Sequence, residues 1–142
     1  MKPQALSRIL ALGAITGMRS MAGPAALALA RGGVLQAVVP SLAAGEMFAD
    51  KTAVIGNRTD PLPLAGRAVM GAIVGGTIAQ EEGDDLIAGS LIGAATAIAA
   101  AHVAFQVRRR LAGSSALGGV IEDALVLAIA SRFAARSSER LW

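Results

Sequence analysis

Residues Ile9–Ala30 read ILALGAITGMRSMAGPAALALA, an apolar run as long as a membrane span with a cation, Arg19, at its centre. About 20 apolar residues cross the hydrocarbon core of a bilayer as a helix. A charge at mid-depth costs roughly 2.5–3.5 kcal/mol on insertion scales, so it usually faces a bundle interior and finds a partner. The same run holds a helix breaker. Pro24 has no N–H, and its ring would clash with the Ser20 carbonyl if one helix ran straight through. A break there frees carbonyls beside Arg19. Broken helices are tolerated at membrane depth where they line a cavity or lie buried in protein. An ordinary proline kink is the alternative.

Working outward, the chain divides into five apolar segments: Ile9–Ala30, Val34–Ala49, Leu64–Gln80, Leu86–Val107 and Leu117–Ala135. Several fall short of a full span, which thin bilayer, extra turns or burial would accommodate. Pro40 suits the first turn of a helix, so residues 34–39 read as a separate short element. The connections are a polar, turn-rich stretch from Lys51 to Pro63, a compact acidic one at Glu81–Asp85 and a basic one at Arg108–Arg110. The expected fold is all-α, a single domain over residues 1–142 built as a polytopic transmembrane bundle of about five helices, some broken or short. Segments one and two pair an arginine-bearing run with an acidic one, and segments four and five meet at Arg108–Arg110 and Glu122-Asp123. Two such halves in opposite orientation would form an inverted repeat, a transporter signature.

Composition supports this class. Hydrophobic residues make up 54% and charged residues 16%, against about 25% charged in ordinary soluble domains. Aromatics are only 3%, and 17 glycines replace bulky packing. Membrane helices accept that exchange, because close backbone approach does the packing. Cysteine is absent, which excludes disulfides, thiolate metal sites and a thiol nucleophile. The net charge of +3 comes from arginines flanking apolar runs. That excludes the continuous basic face of a nucleic-acid binder. No GxSxG, HExxH or phosphate-cradling loop with lysine is present, so no enzyme is expected. Neither cofactor nor metal site is expected, since His102 is the only histidine. Its expected role is polar packing.

The N-terminus partly resembles a signal peptide, but apolar sequence continues past Arg19, which favours a retained first helix. Placing it in the cytoplasm puts Lys2, Arg8, Lys51, Arg58 and Arg108–Arg110 inside and the acidic connection outside, as the positive-inside rule asks. Five full crossings would leave Arg136 and Arg140 outside, so the last crossing stays open.

The embedded charges are the candidate site: Arg19 with Ser20 beside it, Glu46, Asp50, Lys51, Arg67, Glu122 and Asp123. Glu46 and Asp50 lie four apart on one helical face. Two carboxylates converging in low dielectric favour a bound cation or a shared proton. Arg19 needs an acidic partner, for which Glu46 or the Glu122-Asp123 pair would serve. Lys51 and Arg67, near segment ends, are expected to snorkel to the interface. Gly13/Gly17, Gly71/Gly75 and Gly89/Gly93 give GxxxG spacings. These are expected packing faces, within the protomer or across a homo-oligomer.

The motifs GMRSMAGP at 17–24, GEMFADK at 45–51, Gly66-Arg67 before a Gly/Ala helix, and IEDAL at 121–125 resemble a bacterial membrane-protein family, domain of unknown function 4126. The resemblance covers nearly the whole chain. It departs after Lys51, where Thr-Ala-Val-Ile stands in place of an early proline. It implies a small integral protein of the bacterial cytoplasmic membrane and carries no substrate. The expected function is transport or binding of a small solute or ion through the charged intramembrane site. The alternative is an assembly protein whose charges form buried ion pairs. A soluble Ala/Gly-rich bundle is the third reading.

Overall fold

The computed structural model describes residues 1–31, 39, 61–110 and 115–138. Among them are five helices and no strand: α1 (Pro3–Met18), α2 (Ala22–Arg31), α3 (Pro61–Glu82), α4 (Leu86–Arg110) and α5 (Ser115–Ser138). They are not the five expected segments. The run Ile9–Ala30 supplies two of them, while Val34–Ala49 apart from Val39 lies outside the described residues, as do Glu46, Asp50 and Lys51.

The break in the first run is a chain reversal. Helix α1 ends because Arg19 adopts an extended backbone, φ −140° and ψ 115°. Its N–H still donates to the Ile15 carbonyl at 2.8 Å. Helix α2 starts three residues later, with the Ala22 N–H donating to the Arg19 carbonyl at 2.9 Å and the Ala25 N–H to the Met21 carbonyl at 2.9 Å. Pro24 therefore falls in the first turn of α2, where no intrahelical N–H is needed. Gly23 makes the close return possible. A Cβ there would stand 2.9 Å from the Leu12 carbonyl and would collide with the Thr16 hydroxyl, which donates to that same carbonyl.

Helices α3 and α4 form the second hairpin. Pro61 and Pro63 lie in the first turn of α3, one turn before the expected start at Leu64. At the other end Gly83 takes φ +70°, the left-handed conformation that favours glycine. The Asp84 N–H donates to the Ala79 carbonyl at 2.8 Å and the Gly83 N–H to Gln80 at 3.2 Å, which is the Schellman arrangement. Asp85 then caps α4, accepting the Ala88 N–H at 2.7 Å. The acidic connection is thus a tight helix–helix turn. Helix α4 runs unbroken through 25 residues. The expected inverted repeat fails on this point, because the first segment folds back on itself and its supposed counterpart does not.

Packing follows the glycines. A Cβ on Gly71 would stand 2.5 Å from the Gly93 carbonyl oxygen, and one on Gly89 would stand 2.6 Å from that of Gly75. Backbone meets backbone there, as small residues four apart allow. Gly13 and Gly17 bring α1 onto the same helix, against Thr96 and Ala100. The glycine faces are therefore filled within the chain, and a homo-oligomer would have to use other surfaces. Helix α1 is central, touched by each of the other four described helices. Ile9, Leu12 and Ile15 meet Leu27, Val74, Ile78 and Val126 in the core.

Outside this core many large apolar side chains are exposed among the described residues. Val69, Ile73, Ile87, Leu91, Val103 and Leu127 are each more than half exposed. Among the described residues one helix, over Leu86–Val107, is long and apolar enough to cross a membrane, with mean hydropathy 1.8.

Candidate functional site

Arg19 sits where α1 breaks, and it is only 3% exposed. Helix α5 packs on the α1–α2 hairpin and brings Asp123 to it. Arg19 donates through Nε at 3.1 Å and through a terminal nitrogen at 2.7 Å, both to Asp123 Oδ1. The two donors converge on one carboxylate oxygen. The carboxylate keeps about a fifth of its side-chain surface exposed, while the arginine side chain is almost wholly enclosed. A pair of this kind is costly to break from one side, since the remaining enclosed charge loses a counter-ion.

Arg67 is a correction to the expected interfacial anchor. It is 5% exposed and takes part in an interaction there. Because α3 starts a turn early, Arg67 lies seven residues into the helix. Glycine register fixes its level. Gly71, one turn further on, meets Gly93 and Ala97, and Gly17 meets Ala97, Ala100 and Ala101. Arg67 and Arg19 are therefore both alongside the stretch around Ala97–Ala101, about 16–22 Å from the start of α4 at 1.5 Å per residue. That is the middle of the longest helix. Ser20 is half-buried in the turn beside Arg19 and engaged in an interaction of its own. Glu122 belongs to α5, but its side chain falls outside the described set. Glu46, Asp50 and Lys51 do so entirely, so the structure brings together Arg19 and Asp123 and sets Arg67 level with them. His102 is exposed on α4, against the expectation of polar packing. Among the described residues no group of three His, Asp or Glu side chains is placed to hold a metal ion.

A second charged cluster was not expected. Arg8 pairs with Glu82 at 2.9 Å and Glu81 at 3.5 Å, and Arg31 pairs with Glu81 at 2.6 Å. The Lys2 backbone N–H donates to Asp84 at 3.0 Å, and the Lys2 ammonium reaches the Glu82 carbonyl. The N-terminus and the acidic turn therefore share one end of the bundle. They cannot occupy opposite membrane faces, as the sequence-based topology had them. A signal for this was present. Arg8 and Arg31 are each about eleven residues from the break at Arg19-Ser20, so a hairpin turning there sets them side by side.

Chemically, the central site offers guanidinium donors and a carboxylate at a helix discontinuity, enclosed by apolar packing. It suits recognition of a small polar or charged solute, or a fixed ion pair. No family model, curated protein or solved structure matches this chain.

Proposed function

We propose that this chain is a polytopic protein of the bacterial cytoplasmic membrane, of the kind its motifs resemble, that binds or moves a small solute or ion at the level of Arg19, Arg67 and Asp123. The observation that carries this reading is the nearly complete burial of Arg19 at a helix break, level with the middle of α4. The apolar surface supports the membrane setting, since soluble monomers rarely expose so many large apolar side chains in stripes. Helix α2, with 10 residues, rises only about 15 Å and is too short to cross. The α1–α2 hairpin is accordingly read as entering and leaving by one face, with its turn at mid-depth. Transporters build binding sites from discontinuous helices of this sort. We assign no catalytic chemistry to the site, and we take the N-terminus as cytoplasmic, which sets the acidic turn there too and Arg108–Arg110 on the outer face, against the positive-inside rule.

Proteoliposomes carrying an internal pH-sensitive dye test the reading. An imposed proton or cation gradient is expected to drive a flux that falls in Asp123→Asn, Glu46→Gln and Glu122→Gln. Flux unchanged in all three variants would remove the solute-binding reading.

The direct contact at 2.7 Å favours a second reading, in which the pair only sets helix register. Under that reading the charge swap Arg19→Asp with Asp123→Arg restores folding that either single change loses, and no variant alters any flux.

A further inference from the structure

The exposed side of α4 is divided along its length. Ile87, Leu91, Ala95 and Ala99 form one exposed stripe at four-residue spacing, opposite the buried stripe Gly89, Gly93, Ala97 and Ala101. Val103 and Val107 continue that apolar stripe, and from His102 onward polar and cationic residues stand beside it. His102, Phe105, Gln106, Arg109 and Arg110 line a groove of about 750 Å³. Arg109 lies over the Phe105 ring at 5.8 Å, which gives the guanidinium a cation–π support. Neither Arg109 nor Arg110 has an acidic partner among the described residues, and both are exposed. The acidic turn is at the opposite end of α4, about 36 Å away at 1.5 Å per residue.

We propose that this groove is a binding site for one anionic phospholipid. Its phosphate meets Arg109 and Arg110, Gln106 donates to the headgroup, and an acyl chain lies along Ala99, Ala95 and Leu91. The assignment rests on the membrane reading above. Under that reading Leu86–Gln106 fills roughly 30 Å of hydrocarbon, so the arginines emerge at headgroup level. Cations near an anionic leaflet contribute about 1 kcal/mol each. What marks this patch out from ordinary flanking arginines is the groove itself, cationic and free of described carboxylates, beside an apolar stripe.

Native mass spectrometry on protein extracted from vesicles of equimolar phosphatidylglycerol and phosphatidylcholine, with matched acyl chains, tests the site. The wild-type chain is expected to retain the anionic lipid over the neutral one by about fivefold or more, the effect of roughly one such cation. Arg109→Ala with Arg110→Ala is expected to bring the two lipids to parity, and the double lysine variant to keep the preference. Gln106→Glu leaves both arginines in place, sets a carboxylate in the groove and is expected to abolish the preference too. It decides the matter if the double alanine variant fails to fold. Equal retention by the wild type, or an unchanged preference in R109A/R110A, would overturn the lipid site. So would displacement of the lipid by millimolar inorganic phosphate, which would mark a free-anion site instead. Parity with the protein still in the membrane fraction sinks this inference alone. Recovery of the wild type in the aqueous fraction without detergent overturns the membrane reading with it.

Discussion

The two helical hairpins use one packing device for opposite ends. In α3–α4 the glycines at 71, 75, 89 and 93 press two long backbones together. The turn between them is at the end of the bundle, closed by Gly83 and Asp85. In α1–α2 a single glycine, Gly23, seats a short helix on Thr16 and Leu12. That turn lies deep, level with the middle of α4, and it carries Arg19. The α3–α4 hairpin is a frame that keeps its acidic charges at the rim and one buried cation, Arg67, on its flank. The α1–α2 hairpin carries a charge inward at its turn, and α5 supplies Asp123 to meet it. The same small residues that let helices approach also let a polar turn be enclosed.

The largest expected effect separates the deep charge from the rim charges. Asp123→Ala takes from the enclosed Arg19 one of its partners, and the loss is expected to be about 3 kcal/mol, the lower end for buried pairs, because Asp123 is partly exposed and Arg19 keeps other interactions. Thermal melts in detergent read it. A change within 0.5 kcal/mol of wild type would mean that Arg19 is satisfied without Asp123.

The frame is next. Gly71→Ala sets a methyl 2.5 Å from the Gly93 carbonyl oxygen, and overpacking of this kind costs about 1–3 kcal/mol. Gly23→Ala in the other hairpin meets the Thr16 hydroxyl, which is able to turn away, and the Leu12 backbone carbonyl at 2.9 Å, which is not. The cost there is expected to be smaller than for Gly71→Ala, about 1 kcal/mol for the lost Thr16 hydrogen bond with a slight squeeze on Leu12, and Gly23→Ala with Thr16→Ala is expected to recover part of it. A Gly71→Ala variant that melts above Gly23→Ala would reverse the comparison. At the rim, Glu82→Gln is expected to cost about 1 kcal/mol, more than a fully exposed pair because the Arg8 and Glu82 side chains are only 16% and 10% exposed, and less than Asp123→Ala because Arg8 keeps Glu81 at 3.5 Å. A thermal melt checks it.

Much of this was legible in the chain, and the misses share one cause. Apolar periodicity and the glycine spacings locate α4 and its partner face, because those signals are local. Arg19 and Asp123 stand out as charges with no water at hand. Distance along a helix was the harder quantity. Pro24, Pro61 and Pro63 look like breaks or loop residues, yet each occupies a first turn, where proline costs nothing. Reading Pro61 as loop shortened α3 and left Arg67 at the interface, when it is buried. Keeping Ile9–Ala30 as one span despite the break at Pro24 separated Arg8 from Glu82. Tertiary pairing settles such reversals, and it leaves only a faint trace in sequence, the equal spacing of Arg8 and Arg31 about the turn.

Because the chain has no cysteine, single introduced thiols test the central claim, a hairpin that returns to the membrane face it left with Arg19 at its deep turn. Ser7→Cys, Gln80→Cys and Arg110→Cys can each be probed with a membrane-impermeant maleimide on sealed vesicles of known orientation. The account predicts that positions 7 and 80 label from one side and position 110 only from the other. Labelling of 7 and 80 from opposite sides, or of all three from both, would contradict it.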